Sequence, residues 1–600
     1  MFTVRAPSRT ERPCPVIQLE GRRLCARAAL GVASVSTIVI LIGCQSPLFS
    51  DLSDYGTILP EERLRSIDRI SFDEYATGGV PDYTNLQTPA EPPSRFAGQS
   101  RVDMTLESAR ALTLERNLDL QVALVDPATA AARLSEEEAA FEAVVAANVR
   151  FNEIDDATAS ELDNAQADIF AFTPELRLPL RTGGDARLRL PTQRTETDNQ
   201  FQTLNPSWSS DLEFSISQPL LRGGGRRAAT AGIAIASFDR QATEARTKLE
   251  AIRQLAAVDR AYWRLYAARQ ELDVRLQQYD LAVEQLGRAE RAVNAGRSPE
   301  VEIVRAQSGL ADRLEGIVVA ESNVFLRQRE LKRLMNDPEL SVRSETVVVP
   351  TSPPDPVRYA FERDTLLDAA LATRSELLEL ELQLAADAVR IGLAENQALP
   401  LFTVDYTYRL NGLGETWGDA LEITAENQFE DHIFGINAEI PLGNEAAESR
   451  VRQRILERLA RLRTKQARRQ SIEAEVLDAV DQIDSGWQRI LAARQSVALN
   501  TRLLRAEERQ FDVGRRTSTD VLDAAADLAD AQRAEIAALT DYQIAQVDLA
   551  FATGTLLGSA KVRWEPTEPT DETLQRAKEA PSGLFERTST ATQSPAPDAG

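Results

Sequence analysis

Two stretches of this chain, Arg226 to Arg297 and Leu442 to Glu565, contain no proline, although 28 prolines are spread through the whole. A proline inside a helix removes a hydrogen bond and clashes with the preceding turn, so its exclusion over such lengths points to long continuous helices. The residues filling these stretches, chiefly Ala, Leu, Arg, Glu, Gln and Asp, are mostly good helix formers. Taken as helices, 229–294 and 446–511 each reach roughly 100 Å. The spans 300–336 and 365–397 give roughly 55 and 50 Å, and 105–139 and 519–556 behave alike. Two short helices end to end therefore match one long helix, and a bundle of long helices beside stacked short pairs satisfies all six lengths. Helices this long and this polar need neighbours along most of their length.

The chain also repeats itself. Thr105-Leu106-Glu107-Ser108-Ala109-Arg110-Ala111-Leu112 returns as Thr365-Leu366-Leu367-Asp368-Ala369-Ala370-Leu371, and Ser215-Ile216-Ser217-Gln218-Pro219-Leu220 as Asn437-Ala438-Glu439-Ile440-Pro441-Leu442. Gly296 followed by Glu302-Ile303-Val304 matches Gly514 followed by Asp520-Val521-Leu522. Each half reads helix, strands, long helix, glycine turn, helix, and copies of about 220 residues are too long for solenoid units. The expected organisation is a first repeat over 101–340, a linker over 341–364 and a second repeat over 365–560. An extended arm (44–100) precedes them, and a Pro- and Ser/Thr-rich tail that reads as disordered (561–600) follows.

Within each repeat, period-two alternation marks strands. Phe402, Val404, Tyr406, Tyr408 and Leu410 alternate with polar residues, and Phe434, Ile436, Ala438 and Ile440 form the return. In the first half Phe141 to Phe151 alternate in the same way, as do Trp208, Leu212, Phe214 and Ile216. Segments of about ten residues with one apolar face fit a transmembrane barrel. Half of a soluble antiparallel sheet would show the same alternation. The first half is longer, and its surplus around 155–205 holds a hairpin-like pattern about Thr182-Gly183-Gly184-Asp185. Pro174, Pro179 and Pro191 disfavour central strands there, so the surplus is expected to be an elaborated extracellular loop, with added barrel strands as the alternative.

The first 43 residues carry six arginines against Glu11 and Glu20, a net of +4, followed by an apolar run from Ala28 to Ile42 that is short for a bilayer span. This is the pattern of a secretory signal (1–43). It ends in Leu41-Ile42-Gly43-Cys44, which resembles the bacterial lipobox, so Cys44 is expected to be lipidated. Removing a +4 segment from a chain of net −24 leaves −28, a charge that argues against a nucleic-acid partner. The other cysteines, Cys14 and Cys25, leave with the signal, so the mature chain can form no internal disulfide.

The run Phe511-Asp512-Val513-Gly514-Arg515-Arg516-Thr517-Ser518-Thr519-Asp520-Val521-Leu522-Asp523 and the run Ser217-Gln218-Pro219-Leu220-Leu221-Arg222-Gly223-Gly224-Gly225 resemble the TolC-type outer-membrane efflux proteins, over residues 100–560. The resemblance implies a mainly α fold with a transmembrane β portion, in a homotrimer. Each subunit would give four strands to a twelve-stranded barrel and its helices to a periplasmic tunnel. It further implies a periplasmic adaptor and an inner-membrane pump as partners, outer-membrane lipid around the barrel, and the turn at Gly514 as the periplasmic gate. Arg516 would then bond acids of a neighbouring helix pair, Glu302 would match Asp520 in the first repeat, and Asp520 with Asp523 would form a ring of carboxylates. Rings of this kind bind cations. Phe511 stands where the family has a tyrosine, so one hydroxyl bond is missing. Read from the residues alone, two acids in a first helical turn also simply favour the positive end of the helix dipole. Independently of the family, four strands cannot close a barrel, since closure needs about eight.

No enzymatic constellation is expected. Gly223-Gly224-Gly225 lacks the Lys-Ser/Thr of a phosphate loop, no His/Cys cluster suits zinc, and the single histidine, His432, reads as a strand residue. No cofactor is expected. Two functions remain open: an export duct for small molecules or proteins, and a coiled-coil lipoprotein spacing the outer membrane from the cell wall.

Overall fold

The computed structural model describes residues 71–79, 94–96, 98–158, 164–199 and 201–565, with 571, 574, 575 and 578. The signal segment and Cys44 lie outside the described residues, as do most of the arm and tail. Tyr83–Leu574 form one compact unit. The other, Met1–Asp82 with Gln575–Gly600, contributes the single 3-10 turn Phe72–Tyr75 to the description.

The first repeat contains α1 (Leu106–Arg116), α2 (Leu118–Ala139), the short α3 (Arg226–Ala229), α4 (Ala231–Asn294) and α5 (Val301–Met335). The second contains α6 (Arg363–Thr373), α7 (Ser375–Gln397), the short α8 (Trp417–Ala425), α9 (Glu445–Asp512) and α10 (Ser518–Ala552), closed by α11 (Leu556–Ser559). At 64 and 68 residues α4 and α9 span about 95–100 Å, as their lack of proline predicts. α4 packs against α2 and α5 of its own repeat and also against α7 and α10 of the second, while α9 packs against α7 and α10. The core runs along these seams. Leu255, Tyr262, Leu265 and Tyr279 of α4 meet Ile317, Leu331 and Met335 of α5, and Ile472, Ile483 and Ile490 of α9 meet Tyr542 of α10.

The helices expected over 105–139 and 365–397 are each split. Asn117 (φ −62, ψ 123) interrupts the first and Arg374 (φ −66, ψ 120) the second, with the same extended backbone in both repeats. Asn117 caps α2 by accepting from Leu120 N at 2.9 Å and donates to the Leu334 carbonyl at the end of α5 (2.9 Å). Arg374 donates to the Ala552 carbonyl at the end of α10 (3.0 Å), the equivalent place. These residues are the joints at which a short helix is stacked on its partner. Each satisfies a carbonyl that a helix end leaves without an internal partner.

Beside the joints, β1 (Arg101–Met104) runs parallel to β8 (Val347–Pro350), so the expected linker carries a strand. Tyr262, fully buried on α4, locks this pair by donating to Met104 O (3.1 Å) and accepting from Ser352 N (2.8 Å).

The remaining strands form one sheet: β2 (Val144–Asp155), β3 (Gln166–Pro179), β4 (Asp185–Arg189), β5 (Thr192–Thr197), β6 (Ser207–Ser210), β7 (Leu212–Pro219), β9 (Leu401–Leu410), β10 (Leu413–Gly414) and β11 (Glu430–Glu439). β4 and β5 pair with β3 in one unbroken register, β6 and β7 do so with β5 and β4, and β9 and β10 with β7 and β6. They are therefore single staves with a local interruption, and the sheet is a sequential antiparallel meander of six. The surplus region is thus not a loop outside the sheet but two of its staves. The three prolines are accommodated in a physical way. Pro179 ends β3, while Pro174 lies opposite Leu190, beside Pro191, where the ladder between β4 and β5 is already interrupted. The missing N–H groups of Pro174 and Pro191 therefore fall at one level of the sheet, where β4 gives way to β5, Pro174 facing Leu190 and Pro191 facing Asp211. The first stave begins at Val144, so Phe141 stays in the preceding turn, beneath the Arg181 guanidinium.

Candidate functional site: the helical tip and the strand wall

At the far end of the helices both hairpins turn on a glycine with left-handed backbone, Gly296 (φ +70) and Gly514 (φ +74). The closures are identical: Arg297 N donates to Ala292 O and Arg515 N to Gln510 O, each at 2.9 Å, in the manner of a glycine-terminated helix. No atom crowds either glycine, so it is the backbone conformation that requires it.

Asp520 sits in the first turn of α10 and closes a capping box with Thr517, accepting from Thr517 N and Thr517 Oγ1, both at 2.8 Å. The Thr517 N–H and then its hydroxyl hold the Asp520 carboxyl below the usual aspartate range, with Arg516 adding to them. Arg516 Nε lies 3.0 Å from Glu507 Oε2 on α9, and its Nη1 lies 3.9 Å from Asp520 Oδ1. Within the chain, Arg516 therefore spans the two helices of its own hairpin. Phe511 packs on the small cluster of Leu504, Val521 and Ala524. Asp523 is exposed one turn beyond Asp520.

Glu302 is nearly buried, accepting from Arg305 Nη1 at 2.8 Å and from the Ser518 backbone N–H at 3.3 Å. Gln285 of α4 donates to the Ser518 hydroxyl at 3.0 Å. The first hairpin thus grips the start of α10 in the second. The structure brings Arg516, Asp520 and Phe511 together, and ties Glu302 to them through Ser518 rather than through Arg516. Glu507, Ser518 and Gln285 were not foreseen. Glu507 stands four residues before Phe511, the spacing that shares a helix face, and that was the available signal.

At the other end the sheet has two chemically distinct faces. Cross-strand partners share a face, and Val149, Phe172, Leu176, Leu188, Phe214, Tyr408, Tyr406, Phe434 and Ile436 lie on one. His432 belongs to this face, opposite Tyr408 and bonded through Nδ1 to Tyr406 Oη at 3.0 Å. On the other face one register row reads Glu175, Arg189, Glu213, Arg409, Asp431, one residue from each of five successive staves. Its first four members are ion-paired: Arg189 to Glu175 at 3.3 Å and to Glu213 at 3.5 Å, and Arg409 to Glu213 at 3.5 Å. An apolar face and a charged face on one sheet suit lipid outside and water inside. Among the described residues no helix is long and apolar enough to cross a membrane.

The outer membrane efflux protein family matches residues 366–555. Outer membrane protein TolC of Vibrio cholerae serotype O1 is 26% identical over 334 residues, which is 54% of this chain and 73% of that protein. Outer membrane efflux protein BepC of Brucella suis biovar 1 is 25% identical over 323 residues, 51% of this chain and 65% of that one. Among solved structures, the CmeC outer membrane channel of Campylobacter jejuni superposes with a TM-score of 0.57 at 15% identity, over 79% of this chain and 88% of that one. CusC superposes with 0.56 at 15% identity, over 79% and 99%. At these identities the structural likeness is one of fold.

Proposed function

We infer that this chain is a member of the outer membrane efflux protein family, the outer-membrane channel subunit of a tripartite efflux or secretion system, and that it works as a passive exit duct. The observation that carries this reading is the union, in one chain, of a sheet with a lipid-suited face and helices of about 100 Å. A spacer between membrane and cell wall has no use for such a sheet. The copies would assemble as a trimer, dock by their helical tip to a periplasmic adaptor and an inner-membrane pump, and carry lipid on Cys44. Two signals support stable anchoring, since barrel insertion adds to acylation. The gate is read as the Gly514 turn. There Arg516 joins α9 to α10, and threefold symmetry would place Asp520 and Asp523 of each copy around one axis.

The purified protein in a planar lipid bilayer should conduct ions. A protein that inserts stably and never conducts would be a spacer instead. Labelling with a radioactive fatty acid should mark the protein and fail to mark Cys44→Ser; label persisting in that variant would rule out this anchor.

A further inference from the structure

Resting on the trimeric channel reading, we propose that the sheet edges β2 and β11 pair with each other between copies of this chain, and that the closed wall has eighteen staves. Each of three copies would contribute six, in place of the twelve-stranded wall expected from the sequence.

The inserted staves behave as wall and not as ornament. β3 and β4–β5 stand between β2 and β7 and hold both in continuous antiparallel register. The charged row passes through them without a gap, because Glu175 of β3 and Arg189 of β4 carry it on to Glu213 of β7. A hairpin folded over the outside would have no reason to match the polarity of the inner face residue by residue. The staves also reach the level at which the helices begin. The β3–β4 turn is short, and it meets the strand-to-helix junction: Gly225 N donates to Thr182 O at 2.9 Å, and Thr182 Oγ1 donates to Gln218 Oε1 at 2.7 Å. Gly183 lies so close to the Gly223 carbonyl that a Cβ there would clash with its oxygen. Short turns on the inner side and longer loops outside are the usual arrangement of barrels in this membrane.

The edges then say what covers them. β2 is exposed along nearly its whole length and so is β11, while β9 between them is half-buried throughout. Val145 on β2 is 79% exposed and Phe434 on β11 77%, against 38% for Phe172 and 42% for Phe214 within the sheet. A sheet edge in lipid leaves backbone groups without partners, which the bilayer does not tolerate. β2 and β11 differ by only two residues in length, and in a six-stave meander they run in opposite directions. The edge of one copy therefore offers the other edge of a second copy an antiparallel partner with its apolar residues on the same side. Barrel diameter grows roughly linearly with strand number, so eighteen staves give a passage about one and a half times as wide as twelve.

Two measurements on the full-length protein in detergent test this. Mass gives the number of copies, and electron cryomicroscopy of the same sample gives the number of staves. Three copies with eighteen staves is the expected result. Three copies with twelve staves, the 166–197 hairpin lying off the wall, would overturn the eighteen-stave wall and leave the channel reading intact. Two copies would overturn both. In parallel, Val145→Cys or Val149→Cys on β2 is combined with Phe434→Cys or Ile436→Cys on β11 and treated with a short thiol cross-linker. At least one combination should yield covalent trimers, with each single variant yielding none. Intact trimers that cross-link in no combination would show that these edges do not meet.

Discussion

Arg374 ties the joint of the second repeat to the end of α10. It is buried, bonds both oxygens of Glu376 (2.9 and 2.7 Å), lies 2.9 Å from Glu475, and donates to Ala552 O. Arg374→Ala would leave Glu376 with Arg468 as its remaining partner and free a helix-end carbonyl, a loss of about 1–3 kcal/mol for unmade buried hydrogen bonds. Urea unfolding followed by circular dichroism should show it as a clearly lowered midpoint. Burial on its own would raise the Glu376 pKa, but the hydrogen bonds from Arg374 and Arg468 together outweigh it and hold the carboxyl below its ordinary range. A depressed carboxylate contributes stability that is present above the unfolded-state pKa and lost as pH falls through the folded one. Acidification below about pH 4.3, the ordinary glutamate value, should therefore loosen α7 and α10 in the parent. Glu376→Gln should flatten that part of the acid profile, and an unchanged profile would remove Glu376 from the account. At the tip, Arg516→Ser removes the contact between α9 and α10 and should raise single-channel conductance. Because Asp520 closes the capping box as well as carrying a charge, the informative variant is Asp520→Asn with Asp523→Asn, since an asparagine carbonyl oxygen still accepts from Thr517 N. It should weaken block by multivalent cations and leave trimerisation unchanged; block equal to the parent's would place the cation site elsewhere. The turn at Gly514 and the place of Asp520 in the first turn of a helix were legible in the sequence because a turn and a cap are local. Arg516, expected to bond acids of a neighbouring helix pair, lies within the chain on Glu507 of its own. Glu507, Ser518 and Gln285 were not legible, because which side chains meet across two hairpins depends on helix rotation.

Among the elements, the helical hairpins were the most legible and their joints the least. Absence of proline and the paired glycine turns located α4, α5, α9 and α10 to within a few residues. The breaks at Asn117 and Arg374 each consist of one extended residue, and an arginine carries no breaker signal at all. Their equivalence is visible only in three dimensions, where both reach the last carbonyls of a neighbouring helix. The glycine turns allow a direct measurement. An L-residue with a Cβ is disfavoured in the left-handed region by about 1–2 kcal/mol, and nothing else crowds Gly296 or Gly514. Gly514→Ala should therefore raise local opening of the tip in hydrogen exchange by roughly five- to thirty-fold, with little effect near the sheet. Gly296→Ala should do the same on the first hairpin. Equal protection in parent and variant would mean that the turn relaxes without strain.

For the whole molecule, a chain whose helices form closed pairs and whose sheet does not is incomplete as a single copy. Mass measurement in detergent should give a trimer, and a stable monomer would refute the duct. The general plan of strands above a helical bundle was legible because alternation and helix length are properties of the chain itself. The number of staves was not, because Pro174, Pro179 and Pro191 argued against strands one at a time, whereas in the sheet their effects fall at a strand end and at the one interruption between β4 and β5. The same open sheet also sets an order in time. Contacts within the helical hairpins are local in sequence, and such structure forms quickly in any single chain. The bond between β2 and β11 has no partner until other copies arrive, so closure of the wall is a concentration-dependent encounter that comes last. Dilution during refolding into lipid should leave helix formation at its usual rate and slow the appearance of conducting channels more than in proportion.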